Sequence, residues 1–332
     1  MEETSSQSNI TEPQKKERKK IKPMHIIIFL LVLSFALNIF LFLKANSLND
    51  GISGASFRLI KPSEQQPIDT NLQSESIIIH YNGLRGILEK EIQEYSSTGN
   101  IGLFVQDVET GTWMGINERE GFSPASLLKI PIMMAILKKV ERGEMSLKDT
   151  LTITSDDVDT QYGELYKKIG TQVSVQELLE AMITFSDNTA KNVLKRKLSV
   201  EEIDVVFKHV GIPDPYLSIN TQTVSPRDYT RLFKALYYST FLSPSLSEMA
   251  LELTTDTGQE DLISKGVPPE IQVAHKFGII GTNSLHDCGI VYHPKNPYYI
   301  CIMTKELELT QSSELIRKIS KDVFEFVDKQ SS

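Results

Sequence analysis

The chain has 332 residues, 40% hydrophobic and 23% charged, with a formal net charge of −8 and two cysteines. This is the composition of a globular protein long enough for one large domain plus appendages. Two cysteines are too few for a disulfide scaffold, and the acidic balance gives no reason to expect a nucleic-acid partner.

Residues 14–22 form a basic cluster directly before an apolar run at 26–43, in which Ser34 and Asn38 are the only polar residues. Eighteen such residues suffice to cross a bilayer. Positive charge on the leading flank keeps that flank in the cytoplasm. The expectation is therefore a basic cytoplasmic tail at 1–25, a single-pass anchor at 26–43, and everything beyond it on the extracytoplasmic side of the cell membrane. A cleaved signal peptide is the alternative, but the run is long for one and no small-x-small site follows Leu43. Residues 44–81, polar and without sustained periodicity, read as a tether.

From Leu84, apolar residues at Ile87, Leu88 and Ile92 recur at helical spacing. Strands at 101–108 and 113–117 follow, joined by the turn Glu109, Thr110, Gly111. A helix that is apolar all round from Leu127 to Leu137 is next, a buried element that closes at Gly143. Ser126 and Lys129 lie three apart at its start, on one side, so the amine can reach the hydroxyl. Pro131 is tolerable only near a helix start, which places Ser126 close to outward-pointing backbone N–H groups.

The stretch from Leu151 to Gly170 has no clear pattern. Capping boxes at Ser174 with Glu177 and at Ser199 with Glu202 open helices ending near Phe185 and Gly211, with another starting after Asn188. Ser225 with Pro226, and Ser243 with Pro244, each read as an N-cap followed by proline at the first helical position. Strands return at 272–277, 287–292 and 298–304, the last two separated by Pro294, Lys295, Asn296, Pro297. Cys288 and Cys301 fall in these neighbouring strands; a bridge is permitted on the exported side, and buried free thiols are the expectation. A final amphipathic helix carries Leu315, Ile316, Ile319, Val323, Phe326 and Val327. The order implies an α+β domain over 82–328, an antiparallel sheet with helices on its faces and the terminal helices side by side.

Three short elements stand in order: Ser126, Leu127, Leu128, Lys129; then Ser186, Asp187, Asn188; then Lys276, Phe277, Gly278. They resemble the S-x-x-K, S-D-N and K-T-G elements of class A β-lactamases and related penicillin-binding proteins. The flanks Ile183 to Ala190 and the stretch from Thr255 through Val267, Pro268 to Lys276 are similar to that family as well. The resemblance implies a β-lactamase-like fold whose sheet is flanked by the N- and C-terminal helices, with an all-helical subdomain beside it. It implies Ser126 as nucleophile, Lys129 as base, Ser186 as proton relay and Lys276 as a cation in the pocket. Asn188 would bind the substrate amide, Tyr162 would form an aromatic wall, and Gly278 would precede Ile279, whose N–H joins that of Ser126 in an oxyanion hole.

The chemistry agrees with these residue types. A lysine acts as base only when neutral, which requires its pKa to fall from about 10.4 by roughly three units, a cost near 4 kcal/mol. Burial and a second cation push in that direction. No cofactor is implied, and the six histidines show no metal-ligand spacing, so no metal is expected. His275, next to Lys276 in a strand, points to the opposite face.

Two departures stand out. Phe277 cannot donate the hydroxyl hydrogen bond with which the family helps hold a substrate carboxylate. The loop from Gly211 to Ser225 lacks the family's water-positioning glutamate; it has one carboxylate, Asp214, and Asn220 matches a family asparagine. Unless Asp214 activates water, deacylation should be slow. The expected function is an anchored serine hydrolase that forms an acyl-enzyme on Ser126 with a small-molecule or peptide substrate: a β-lactam, peptide or ester carbonyl. The alternative is a non-catalytic cell-envelope binding module on the same fold.

Overall fold

A computed structural model describes residues 79–95, 99–212, 223–255, 257 and 262–331. Leu84, Leu88 and Ile92, four residues apart, are the buried stripe of α1 (Asn82–Tyr95). Ile87 stays exposed, off that stripe. Ile79 and Tyr81, assigned to the tether in the sequence reading, are already buried in the core. The tail, the apolar run at 26–43 and the rest of the tether lie outside the described residues, among which no helix is long and apolar enough to cross a membrane.

Strands β1 (Asn100–Asp107) and β2 (Trp113–Ile116) form the expected hairpin, its turn tied by Thr110 donating to Asp107 Oδ1 from backbone N (2.6 Å) and from Oγ1 (2.7 Å). The segment carrying Ser126 enters as a 3-10 turn, Ala125–Leu128, and becomes α-helical only at Lys129, in α2 (Lys129–Glu141). All eight residues of α2 from Ile130 to Leu137 are apolar and buried, so this helix is the axis of the helical layer.

The patternless stretch contains a two-stranded ribbon, β3 (Thr150–Thr152) with β4 (Gln172–Ser174), which corrects the expectation of an all-helical subdomain. Strands of three residues carry too little alternation to be read from sequence. Helices α3 (Val175–Thr184), α4 (Asn188–Lys195), α5 (Val200–His209), α6 (Pro226–Tyr237) and α7 (Pro244–Thr255) follow. The capping boxes at Ser174 and Ser199 both form, and Ser225 caps α6 by accepting from Asp228 N at 3.1 Å.

Strands β5 (Val273–Ile280), β6 (Ser284–Val291) and β7 (Tyr298–Lys305) complete an antiparallel sheet of order β2-β1-β7-β6-β5, and α8 (Leu309–Ser331) ends the domain. One face of the sheet packs on α1 and α8 through Leu88, Ile302, Ile316 and Val323; the other packs on the α2 to α7 layer through Met133, Leu232, Ile290 and Met303. The terminal helices touch side by side, as expected.

Every residue of β6 is buried. There Cys288 stands opposite Cys301 of β7, and the two form a disulfide. This overturns the expectation of free thiols: facing positions follow from strand register, which spacing in the sequence does not specify.

Candidate active site

The three motifs arrive from three elements: the turn before α2, the bend between α3 and α4, and the edge strand β5. Lys129 Nζ donates to Ser126 Oγ at 3.1 Å, to Ser186 Oγ at 2.8 Å and to the Ser186 carbonyl oxygen. Lys276 Nζ donates to the same Ser186 Oγ at 3.2 Å and to the Phe277 carbonyl oxygen at 3.2 Å. Ser186 thus stands between two amines, one of which also holds Ser126.

Local backbone conformation aims these groups. Ala125 and Ser186 adopt positive φ, 50° and 54°, costing about 1–2 kcal/mol each for residues with a Cβ. The bend at Ser186 is held by Asp187, whose Oδ1 caps α4 by accepting from Ala190 N (2.8 Å) while Oδ2 accepts from Leu165 N (2.9 Å). Gly163, at φ 82°, lies so close that a Cβ there would meet Asp187 Oδ2 at 1.9 Å. Asn188 N donates to the Tyr162 carbonyl oxygen at 3.2 Å, which places the backbone of Tyr162 beside the motif.

The nucleophile segment is anchored as firmly. His286 accepts from Thr304 N at Nδ1 (3.3 Å), so its Nε2–H donates to the Ser123 carbonyl oxygen (2.8 Å); burial pushes its pKa down to about 4, keeping it neutral. Tyr229 donates from its hydroxyl to the Leu127 carbonyl oxygen at 3.0 Å. Gly278 brings the free edge of β5 against this segment: a Cβ there would sit 3.1 Å from Ala125 Cβ and 3.2 Å from Ser126 N. Ile279, half-buried, follows it.

Both amines are removed from water, Lys129 being 1% exposed and Lys276 0%. Burial lowers Lys129 to a pKa of about 6, with Lys276 and then Lys191 adding repulsion and Asp187 and Asp159 opposing it. Burial lowers Lys276 to about 7 against the attraction of Asp287. Lys129 is therefore mostly unprotonated at pH 7; the neutral amine has two N–H bonds, enough for the two Ser186 oxygens, so its lone pair faces Ser126 Oγ and can accept that proton. The Phe277 ring lies 3.9 Å from Lys276 Nζ, filling the flank of that amine with a π face in place of a hydroxyl.

His275 stays out of the site. Its Nδ1 bonds Asp287 (2.9 Å) and its Nε2 bonds Thr257 Oγ1 (2.8 Å), all three groups buried; Asp287 also accepts from Ile263 N (3.0 Å). The row resembles a hydrolytic triad in composition but pins the segment after α7 to the sheet. Asp214 and Asn220 lie outside the described residues. No cluster of metal-ligating side chains occurs among the described residues.

Sequence reasoning passed over Lys191, Asp159 and Phe185. Lys191 is four residues from Asp187 on α4, but only the packing of α4 against α2 brings its charge to Lys129. Phe185, directly before Ser186, is 61% exposed.

Comparisons with known proteins agree with this geometry. The profile of the beta-lactamase enzyme family matches residues 86–327. Beta-lactamase BRO-1 of Moraxella catarrhalis is 26% identical over 270 residues, 74% of this chain and 85% of that protein. The structure of PBP-A superposes with a TM-score of 0.68 at 29% identity, covering 74% of this chain and 97% of PBP-A. A beta-lactamase from Sphaerobacter thermophilus shares the fold with a TM-score of 0.68 at 23% identity, over 74% of this chain and 96% of that one.

Proposed function

Because the chain belongs to the beta-lactamase enzyme family, we propose that it is a serine hydrolase that acylates Ser126 with the carbonyl of a β-lactam, peptide or ester. The observation that carries this reading is Lys129 Nζ at 3.1 Å from Ser126 Oγ with a pKa lowered to about 6. Neutral Lys129 takes the Ser126 proton as Oγ bonds to the carbonyl carbon. The oxyanion that forms is held by the N–H groups of Ser126 and Ile279. As the bond to the leaving atom breaks, a proton passes to that atom through Ser186 Oγ, and an acyl ester remains on Ser126. Asn188 and Tyr162 line the substrate.

Hydrolysis completes when water adds its oxygen to the acyl carbon and returns a proton to Ser126 Oγ. This step is slow in our reading. Among the described residues no carboxylate hydrogen-bonds to Ser126 or Lys129 to activate that water, and Asp214 is the remaining candidate. A variant of PBP-A has been solved as an acyl-enzyme with penicillin G, a precedent for a persistent adduct in a protein of this fold. The Phe277 ring argues that substrates bearing a carboxylate react more slowly than neutral ones.

We further propose that residues 26–43 anchor the protein, with 1–25 in the cytoplasm and the catalytic domain outside the cell membrane. A disulfide between Cys288 and Cys301 suits an oxidising compartment.

The test treats the protein and its Ser126→Ala variant with a labelled penicillin and with a fluorophosphonate, followed by intact-mass analysis. The expected result is a Ser126-dependent adduct lasting minutes or longer. Turnover with no detectable adduct refutes slow deacylation, and labelling by neither reagent favours the non-catalytic binding module.

A further inference from the structure

The catalytic groups gather at the β5 edge of the sheet; the opposite edge, four strands or about 19 Å away at the usual interstrand spacing, carries a second cleft. It encloses about 280 Å³ between the β1–β2 hairpin and α6, and is lined by Phe104, Gln106, Trp113, Arg227, Arg231 and Lys234. Residues 227, 231 and 234 are spaced by four and three, which puts three cations on one face of α6.

Trp113 is 44% exposed although it is the largest apolar side chain of its hairpin. The Arg227 guanidinium stacks 4.5 Å from the indole centre and 5.9 Å from the Phe104 ring, which itself lies 5.7 Å from Trp113. One of the three cations is neutralised: Arg231 pairs with Asp228 at 3.2 Å and donates to the Gly211 carbonyl oxygen at 2.7 Å. Arg227 and Lys234 have no carboxylate partner among the described residues, and Arg227 Nη1 is buried without an acceptor. Gln106 spends its amide N–H on the Gly111 carbonyl oxygen (3.0 Å), which leaves its side-chain oxygen as an acceptor.

Arg227, partly buried and without a carboxylate among the described residues, is costly unless an anion arrives, and Lys234, exposed and likewise unpaired there, adds a second positive charge to the same cleft. The cleft is at the lower end of the roughly 300–1,000 Å³ typical of small-molecule sites, which limits it to one ring. Arg227 takes one face of the indole, and the rest of its 44% exposed surface is left for the C–H face of a saturated ring.

We propose that this cleft binds an acidic sugar, a pyranose whose ring lies on Trp113, whose carboxylate meets Arg227 and Lys234, and whose hydroxyls donate to Gln106. The site is separate from Ser126 and does not depend on the acylation chemistry.

Trp113 is the only tryptophan of the chain, so its emission reports this cleft alone. Full-length protein is titrated with glucuronate, with glucose, which lacks the carboxylate, and with acetate, which lacks the ring, all at one ionic strength. Glucuronate should change the emission saturably, with a midpoint at least tenfold below those of glucose and acetate. Lys234→Gln should raise that midpoint at least threefold and Arg227→Gln at least tenfold, while Ser126→Ala binds like the wild type. Lys234 is exposed, so its variant carries the test even where loss of Arg227 disturbs folding. The absence of a saturable change, an equal response to glucose or to acetate, or an unaltered midpoint in Lys234→Gln overturns the proposal.

Discussion

A buried amine keeps its proton only where a counter-charge replaces the lost water, and at Lys129 repulsion from Lys276 and Lys191 instead adds to the penalty. Its reach to Ser126 could be read from the sequence because a three-residue spacing on a helix is a local matter. Its partnership with Lys191 could not, since it depends on how α4 lies against α2. Lys191→Met removes one of the repelling cations, so the Lys129 pKa rises and less of the amine is neutral in weak acid. The acid limb of the acylation rate should move to higher pH, with a loss of roughly threefold at pH 6 and none at pH 9, since one pKa unit is a factor of ten. Unchanged limbs in stopped-flow acylation would remove Lys191 from the site's electrostatics.

At the level of elements, caps and prolines marked helix starts well: Ser174, Ser199 and Ser225 each cap the helix anticipated from them. The 3-10 entry at Ala125–Leu128 and the ribbon β3–β4 escaped because each is three or four residues long and held by its neighbours more than by its own pattern. Strand register escaped as well, and with it the Cys288–Cys301 bridge, which closes a sequence separation of 13 residues. A loop of that size stabilises by about 3 kcal/mol in the chain-entropy treatment. Double substitution to serine should therefore lower Tm by roughly 10 °C in a domain this large. Alkylation of the denatured, unreduced protein should find no free thiol; two trapped thiols in protein taken from intact cells would contradict both the bridge and the exported location.

On the scale of the whole molecule, the first and last helices of the described domain close it: α1 and α8 lie together, and Glu91 of α1, paired with Lys318 at 2.8 Å, meets Asp322 of α8. Burial, then the Glu91 carboxylate, push Asp322 up to about 7. A raised carboxyl pKa means that the protonated form is the one the fold favours, so its contribution is complete below pH 4 and is lost as pH rises toward 7. Asp322→Asn should leave the unfolding free energy unchanged at pH 4 and raise it at pH 8 by about 1 kcal/mol once solvent screening of this half-exposed group is allowed for. A variant less stable than wild type at pH 8 would show that the carboxylate is better paired than its surroundings indicate. By itself the sequence determined the α+β class, the helix starts and the pairing of Ser126 with Lys129, because propensity, capping and short spacings act within a few residues; Ser186 and Lys276 were reached only through the resemblance of their motifs to a known family. Only the tertiary structure decided that one hydroxyl, Ser186, serves both amines, that two cysteines face each other, and that Arg227 stacks on Trp113 in a cleft shared with Arg231 and Lys234. Those facts depend on register and helix packing between residues 90 or more positions apart in the chain for Ser186 and Lys276, a range over which no local preference acts.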